Sequence, residues 1–181
     1  CVVMTQDDKT QADGYARNEK EDILHDYQDK TGVTITSGGE QTSNTITVET
    51  ADKQTTNVTL ENVDIEQPDS HWSECTDPAP IEIKGDGNTN LELNGNNTVL
   101  SGNSKHAGIE KADVNGTGTL TIKDDVNDDG KLLAGGYEDS AGIGGGSYHD
   151  GKSYGNTSNI TITGGDITAV GGVYGAGIGG G

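Results

Sequence analysis

The heptapeptide SAGIGGG at residues 140–146 recurs as GAGIGGG at residues 175–181. Its alanines, Ala141 and Ala176, are 35 residues apart, and a shorter version, HAGIE at 106–110, lies another 34 residues upstream. A fixed period of this length is typical of solenoids, propellers and arrays, whose repeats are single supersecondary units. We therefore expect Ile109, Ile143 and Ile178 to occupy equivalent positions in successive layers of one repetitive fold.

Short segments that alternate apolar and polar residues extend outward from this repeat. Each is rich in β-branched or leucine residues and is bounded by Gly, Asn or Asp, as expected for β-strands. No segment of helical length separates them, which excludes a doubly wound α/β sheet because that fold needs crossover helices. The predicted strands are 33–36, 45–48, 57–60, 63–66, 81–83, 91–93, 98–100, 119–122, 131–134, 159–162 and 166–170.

An all-β fold, a right-handed parallel β-helix over residues 33–181, accounts for this pattern. In such a solenoid an inward side chain stacks on its equivalent one layer away, at about 4.8 Å, and glycines allow tight corners. The evenly spaced blade strands and aromatic signatures of a propeller are missing. A terminal coil normally carries a polar cap. Because the sequence stops within GIGGG, we expect the solenoid to be truncated at its C-terminal end.

Residues 1–32 are predicted to form an N-terminal cap. Within them, residues 15–30 place Tyr15, Ile23, Leu24 and Tyr27 on one side at helical spacing, and Gly32 follows as a stop signal. The edge strands of an open β-helix must be covered. We therefore expect an amphipathic capping helix over 15–30.

The charge and composition of the chain narrow its partners and its location. Thirty acidic residues against 11 basic ones give a net charge of -19, which disfavours nucleic acid and anionic membrane surfaces as partners. No apolar window is long enough for membrane insertion. The low Lys content and the abundance of Asp, Asn, Thr and Gly favour a secreted or wall-displayed extracellular protein.

Two cysteines, Cys1 and Cys75, are present. In an exported protein an even pair favours a disulfide, which would tie the N-terminus to the loop around Trp72. Two alternatives remain open at this point: Cys1 is the lipidated first residue of a lipoprotein, or both residues are free thiols.

Five aromatic residues are candidate binding residues. Trp72 lies in the polar segment 69–75, and the other four, Tyr137, Tyr148, Tyr154 and Tyr174, lie in loops around the glycine-rich corners. Exposed aromatic side chains stack on sugar faces and anchor protein interfaces. The alternative for all five is packing against the fold, which we favour for Trp72.

Residues 125–130, DVNDDG, match the first half of a calcium loop. Oxygen ligands at alternate positions, here Asp125, Asn127 and Asp129, can converge on one Ca²⁺ ion. The twelfth position is Gly136 instead of the bidentate Glu of an EF-hand. The alternative is a solvated turn between the strands at 119–122 and 131–134.

The residues that could support catalysis do not form a recognisable set, so we predict a protein that is not an enzyme. Glu82 and Glu92 could serve as a carboxylate pair for glycoside hydrolysis, but each also fits a solvent-facing position on a strand. Arg17 is the only arginine, and there is no HExxH motif or nucleophile elbow. The GIGGG runs are followed by no GK[ST], so they are not phosphate loops.

GAGIGGG, with ITITGGDITAVGG at 160–172 and GIEKADVNGTGTLTI at 108–122, resembles glycine-rich repeat proteins on the surface of Gram-positive gut bacteria. These are commonly labelled carbohydrate-binding-domain-containing, and the resemblance covers residues 81–181. Some Lachnospiraceae proteins of similar architecture are immunoglobulin-binding superantigens. The resemblance therefore implies binding of a host protein such as an immunoglobulin variable domain. It leaves a glycan-binding module and a passive adhesin stalk as alternatives.

Overall fold

The computed structural model describes residues 23–25, 32–69, 78–102, 105–111, 116–149, 152–153 and 155–181. All regular secondary structure in these residues is β-strand, as the sequence predicts for residues 33–181. The strands are β1 (Ile23–His25), β2 (Val33–Ile35), β3 (Gln41–Thr42), β4 (Ile46–Glu49), β5 (Thr55–Glu61), β6 (Asp64–Glu66), β7 (Ile81–Lys84), β8 (Asn88–Asn94), β9 (Asn96–Leu100), β10 (Ile109–Glu110), β11 (Thr119–Lys123), β12 (Lys131–Gly135), β13 (Ile143–Gly144), β14 (Tyr148–His149), β15 (Lys152–Ser153), β16 (Ile160–Ile162), β17 (Asp166–Val170) and β18 (Ile178–Gly179).

Three parallel sheets form the three sides of a solenoid. Sheet 1 contains β1, β4, β7, β10, β13 and β18; sheet 2 contains β2, β5, β8, β11 and β16; sheet 3 contains β3, β6, β9, β12 and β17. The chain passes through sheets 1, 2 and 3 in this order five times before β18 returns to sheet 1. Only β14 and β15, an inserted hairpin, pair antiparallel among the described strands. The predicted parallel β-helix is therefore confirmed.

A ladder of isoleucines runs along the inside of sheet 1. Ile109, Ile143 and Ile178 are register partners in successive coils, as the repeat predicts. Ile46 and Ile81 extend the same ladder by two layers. The first four members in chain order are buried, whereas Ile178, in the outermost described layer, is 50% exposed.

Matching ladders line the other two sides of the core. Sheet 2 contributes Val58, Leu91 and Ile122, and sheet 3 contributes Val99 and Ala134, all of them buried. Each coil therefore needs only a few aliphatic side chains. This explains how a chain with 29% hydrophobic residues forms a continuous core.

The glycines of the repeat are required where neighbouring coils touch. Gly144 follows the inward Ile143 and has a φ of 135°, which L side chains rarely adopt. A Cβ added to Gly144 would lie 2.0 Å from the carbonyl oxygen of Gly179, its partner in the next coil. Only glycine fits this position, and this accounts for the repetition of Ile-Gly.

The N-terminal region differs from the sequence prediction. Ile23–His25 form β1, which pairs in parallel with residues 47–49 of β4. The predicted helix over 15–30 is therefore wrong at these three residues, and its remaining residues lie outside the described ones. The physical reason is that a strand can pair with the free N–H and C=O groups along the edge of β4, whereas a helix bonds its backbone internally and leaves that edge unpaired.

The isoleucine ladder provides a stability test with a matched control. Ile143→Ala empties a fully buried site and should lower the free energy of unfolding by about 2–5 kcal/mol. Ile178→Ala changes the same residue type in the same local sequence, but at a half-exposed position, and should cost less than about half as much. Urea unfolding followed by circular dichroism measures both. Equal losses would contradict the layered core.

Candidate functional site

The predicted aromatic residues that the structure describes lie on two different corners of the solenoid. Tyr137 and Tyr174 lie in the β12–β13 and β17–β18 connections, which join sheet 3 to sheet 1 and which we call the 3–1 corner. Trp72 lies outside the described residues. Tyr148 lies in the connection between sheets 1 and 2, where its backbone pairs with Ser153. Tyr154 lies outside the described residues.

The two described tyrosines of the 3–1 corner have different environments. Tyr137 is partly buried, and the hydrogen bond that its hydroxyl donates to Asp69 raises its pKa above the ordinary value of 10.0. Tyr174 is 83% exposed, and its backbone N–H donates to the carbonyl of Glu138 in the preceding coil. Tyr174 therefore presents a free aromatic face on a backbone that is tied to the solenoid.

Exposed apolar side chains are concentrated on and beside sheet 3. Leu133 and Val170 lie on its outer face, and Val173 and Tyr174 follow at the 3–1 corner; their exposed fractions are 37, 51, 80 and 83%. We call these four residues the apolar patch. The other large apolar residues that are exposed in the described chain are Val126, Ile162 and Ile178. Contiguous exposed apolar surface with a polar rim is typical of interaction sites.

Sequence reasoning found Tyr174 but missed the three aliphatic members of the patch. Inward and outward side chains alternate along a strand, and this alternation could have identified the two members that lie on strands. In β12, Leu132 and Leu133 are adjacent, so one of them must face outward, and the structure buries Leu132. In β17, Ala169 faces the core, so the next residue, Val170, faces outward.

A shallow groove of about 250 Å³ adjoins the apolar patch on the outer face of sheet 3. Two rows of register partners line it. The first row is Asn96, Lys131 and Asp166, and the second is Thr98, Leu133 and Thr168. The groove therefore combines charged, hydroxyl and aliphatic groups on a rigid backbone.

A second groove, of about 240 Å³, lies on the outer face of sheet 2, and most of the residues that line it are polar. Asn90 donates a side-chain hydrogen bond of 2.8 Å to Asn57 on the preceding coil. Lys123 lies 3.1 Å from the carboxylate of Glu92, and the exposed Val126 forms one wall. None of the described residues that line this groove is aromatic.

Glu92 holds the turn that follows β11. Its Oε1 accepts hydrogen bonds from the backbone N–H groups of Asp125 (2.7 Å) and Val126 (2.9 Å). The hydrogen bond to Asp125, at 2.8 Å, is the largest cause of a raised pKa at Lys123, and the contact with Glu92 adds to it. Glu82 lies on sheet 1 and pairs with Lys84. The two carboxylates considered for catalysis therefore lie on different sheets.

The predicted calcium ligands have separate partners in this turn. Asp125 contacts Lys123, Asn127 donates a hydrogen bond to Asn94, and Asp129 accepts one from the backbone of Gly95. Among the described residues, no group of three or more His, Cys, Asp or Glu side chains is placed to hold a metal ion. The calcium prediction therefore gains no support from the fold, and the arrangement fits the alternative of a hydrogen-bonded turn.

A buried ion pair joins the turn before β10 to the strand itself. Glu110 is 2% exposed, and its Oε2 lies 2.8 Å from Nδ1 of His106 and accepts a hydrogen bond from the backbone of Ala107. Burial lowers the pKa of His106, but the hydrogen bond and charge of Glu110, with the charge of Glu82, outweigh burial and the opposing charge of Lys105. The net effect is a pKa above 6.5.

The predicted disulfide cannot be followed in the fold, because Cys1 and Cys75 both lie outside the described residues. In the described part of the chain, no helix has the length and apolarity needed to cross a membrane.

Comparison of the chain with family models, with curated proteins and with solved structures finds no match. The surfaces described above and the resemblance of the repeat are therefore the basis for a functional proposal.

The His106–Glu110 pair predicts a pH dependence of stability. Because the pKa of His106 is raised on folding, the pair stabilises the fold fully below pH 6.5, and this contribution is lost as the pH rises through the folded pKa. The unfolding free energy of the wild type should exceed that of His106→Gln by more at about pH 5.5 than at about pH 8.5. Denaturant titrations at both pH values measure this. A pH-independent difference would contradict the pair.

Proposed function

We propose that this chain is an extracellular binding module of a bacterial surface that engages a host protein through the apolar patch. The observation that carries the proposal is the concentration of Leu133, Val170, Val173 and Tyr174 on one face and its adjoining corner. Exposed apolar patches mark interaction sites, and tyrosine is among the residues that carry most of the affinity in protein interfaces. Sheet 3 holds the backbone of Leu133 and Val170, and a hydrogen bond to Glu138 holds that of Tyr174, so little conformational entropy is lost on binding.

The chemistry of the remaining surface is consistent with a protein partner. Most outward side chains of sheet 2 are Thr, Asn, Glu or Lys, and several bond to one another across coils, including Asn90 to Asn57 and Thr119 to Asn88. The apolar patch is an exception to this arrangement. The resemblance of the repeat makes the immunoglobulin variable domain the first partner to test.

The variant Val173→Ser/Tyr174→Ala tests this site. Binding of polyclonal human Fab to the immobilised chain should weaken by about tenfold or more, because the two most exposed apolar side chains of the patch are removed. Val126→Ser is the matched control, since Val126 is similarly exposed, at 74%, on the corner between sheets 2 and 3. It should bind Fab as the wild type does.

A pull-down from human plasma and mucus extends the same test to other proteins. We expect the wild type and Val126→Ser to retain the same protein, and the patch variant to lose it, while all three have the same circular dichroism spectrum. The proposal would be overturned if the wild type retained no protein, or if all three chains retained the same protein equally. The first of these results would favour a glycan ligand or a stalk.

The groove on sheet 2 favours a second candidate function, the binding of a glycan. Its amide, carboxylate and ammonium groups can donate and accept hydrogen bonds with sugar hydroxyls. Its volume, about 240 Å³, is that of a small ligand site. In this candidate the sugar contacts Asn90, which lies between its register partners Asn57 and Thr121.

A glycan array separates the two candidates. If a glycan occupies this groove, Asn90→Ala should lose saturable binding to the array, whereas Asn96→Ala, which changes an exposed asparagine on sheet 3, should retain it. The patch variant Val173→Ser/Tyr174→Ala should also retain it. Loss with Asn96→Ala alone would place the sugar on sheet 3 instead.

A further inference from the structure

The outer face of sheet 3 continues into a second depression at the corner between sheets 2 and 3. This corner groove has a volume of about 290 Å³ and is lined by Asp124, Asp128, Asp129, Gly130, Lys131, Gly165 and Asp166. Lys131 and Asp166 also line the groove beside Leu133. The two depressions are therefore one continuous surface, with an acidic end at this corner and an apolar end at the 3–1 corner.

At the acidic end, two carboxylates form no ion pair with another described residue. Asp128 and Asp166 are exposed, and neither side chain makes a hydrogen bond or ion pair among the described residues. Lys131 is the single cationic residue among the residues that line the corner groove, against four aspartates. A concave surface with an excess of one charge attracts partners of the opposite charge.

We propose that the partner protein presents a basic side chain, Arg or Lys, beside an aliphatic or aromatic one. The basic side chain pairs with Asp128 and Asp166 at the corner groove while the apolar one covers Leu133 and Val170. This inference rests on the proposed function and specifies the chemistry of its partner. Arginine fits this role well, because its planar guanidinium has five N–H donors, forms bidentate hydrogen bonds with carboxylates and is weakly hydrated.

The geometry of β17 links the two halves of this surface. Asp166 begins the strand and Val170 ends it, and Val173 and Tyr174 follow directly. Thr168, between them, is the register partner of Leu133. One partner surface aligned along β17 therefore meets charge first, then hydroxyl and aliphatic groups, and finally an aromatic ring.

The double variant Asp128→Asn/Asp166→Asn tests the charge requirement. Both changes keep the size of the side chain, and Asn tolerates the positive φ of 56° at Asp128. The control, Glu40→Gln/Asp52→Asn, removes the same charge from exposed residues of the first two coils. The probe is polyclonal human Fab, whose Kd and association rate are measured on the full chain at about 50, 150 and 500 mM NaCl.

If the inference holds, the groove variant weakens binding at low salt by about fivefold or more, mainly through slower association. The control variant changes Kd by less than about twofold, and the wild type loses affinity as salt rises. Fab binding could require Tyr174 and yet be insensitive to salt and to both charge variants. That result would overturn this inference and leave the proposed function intact. Equal weakening by the groove and control variants would also overturn it. No binding of Fab to any chain would contradict the immunoglobulin partner and this inference together.

Discussion

The stacking of coils at the spacing of parallel strands is the constraint on which the rest of this structure depends. Each coil must present an aliphatic side chain inward at the same point as its neighbours, as Ile81, Ile109 and Ile143 do. It must also omit side chains where two backbones touch, as at Gly144. Chain length between these points is much less constrained, because loops at the corners can vary without breaking the ladders. Register partners are 24 residues apart at Ile23 and Thr47 but 35 apart at Lys131 and Asp166.

This constraint leaves the outer faces and corners available for function. The inward positions are committed to packing, whereas an outward residue can change without disturbing a ladder. Most outward residues on sheet 2 are polar and bond to equivalent residues on the next coil, as Thr119 does with Asn88. On sheet 3 the outward residues include Leu133 and Val170, which gain nothing from exposure to water. That contrast between two faces of one solenoid is the reason for placing the interaction surface on sheet 3.

Charge is distributed unevenly over the same scaffold. Some carboxylates have structural roles: Glu92 holds the turn after β11 through two backbone hydrogen bonds, and Glu110 is buried against His106. Others, such as Asp128 and Asp166, have no partner among the described residues. A net charge of -19 destabilises a compact chain through self-repulsion. Unpaired carboxylates beside exposed apolar groups are the feature on which the proposed cationic partner rests.

Local sequence patterns specify the all-β class and most of the strands, because inward and outward side chains alternate along a strand. The Ile-Gly repeat likewise specifies the ladder members Ile109, Ile143 and Ile178, because glycine is required beside each inward isoleucine. The ladder members Ile46 and Ile81 escaped prediction because the AGIG context is absent around them. Three features needed the folded chain: Ile23–His25 form a strand, Asp125 pairs with Lys123, and Thr168 is the register partner of Leu133. These contacts join residues of different coils or of a turn shaped by another coil. Their formation depends on register and on coil length, which ranges from 24 to 35 residues in the pairings above and which no local pattern specifies.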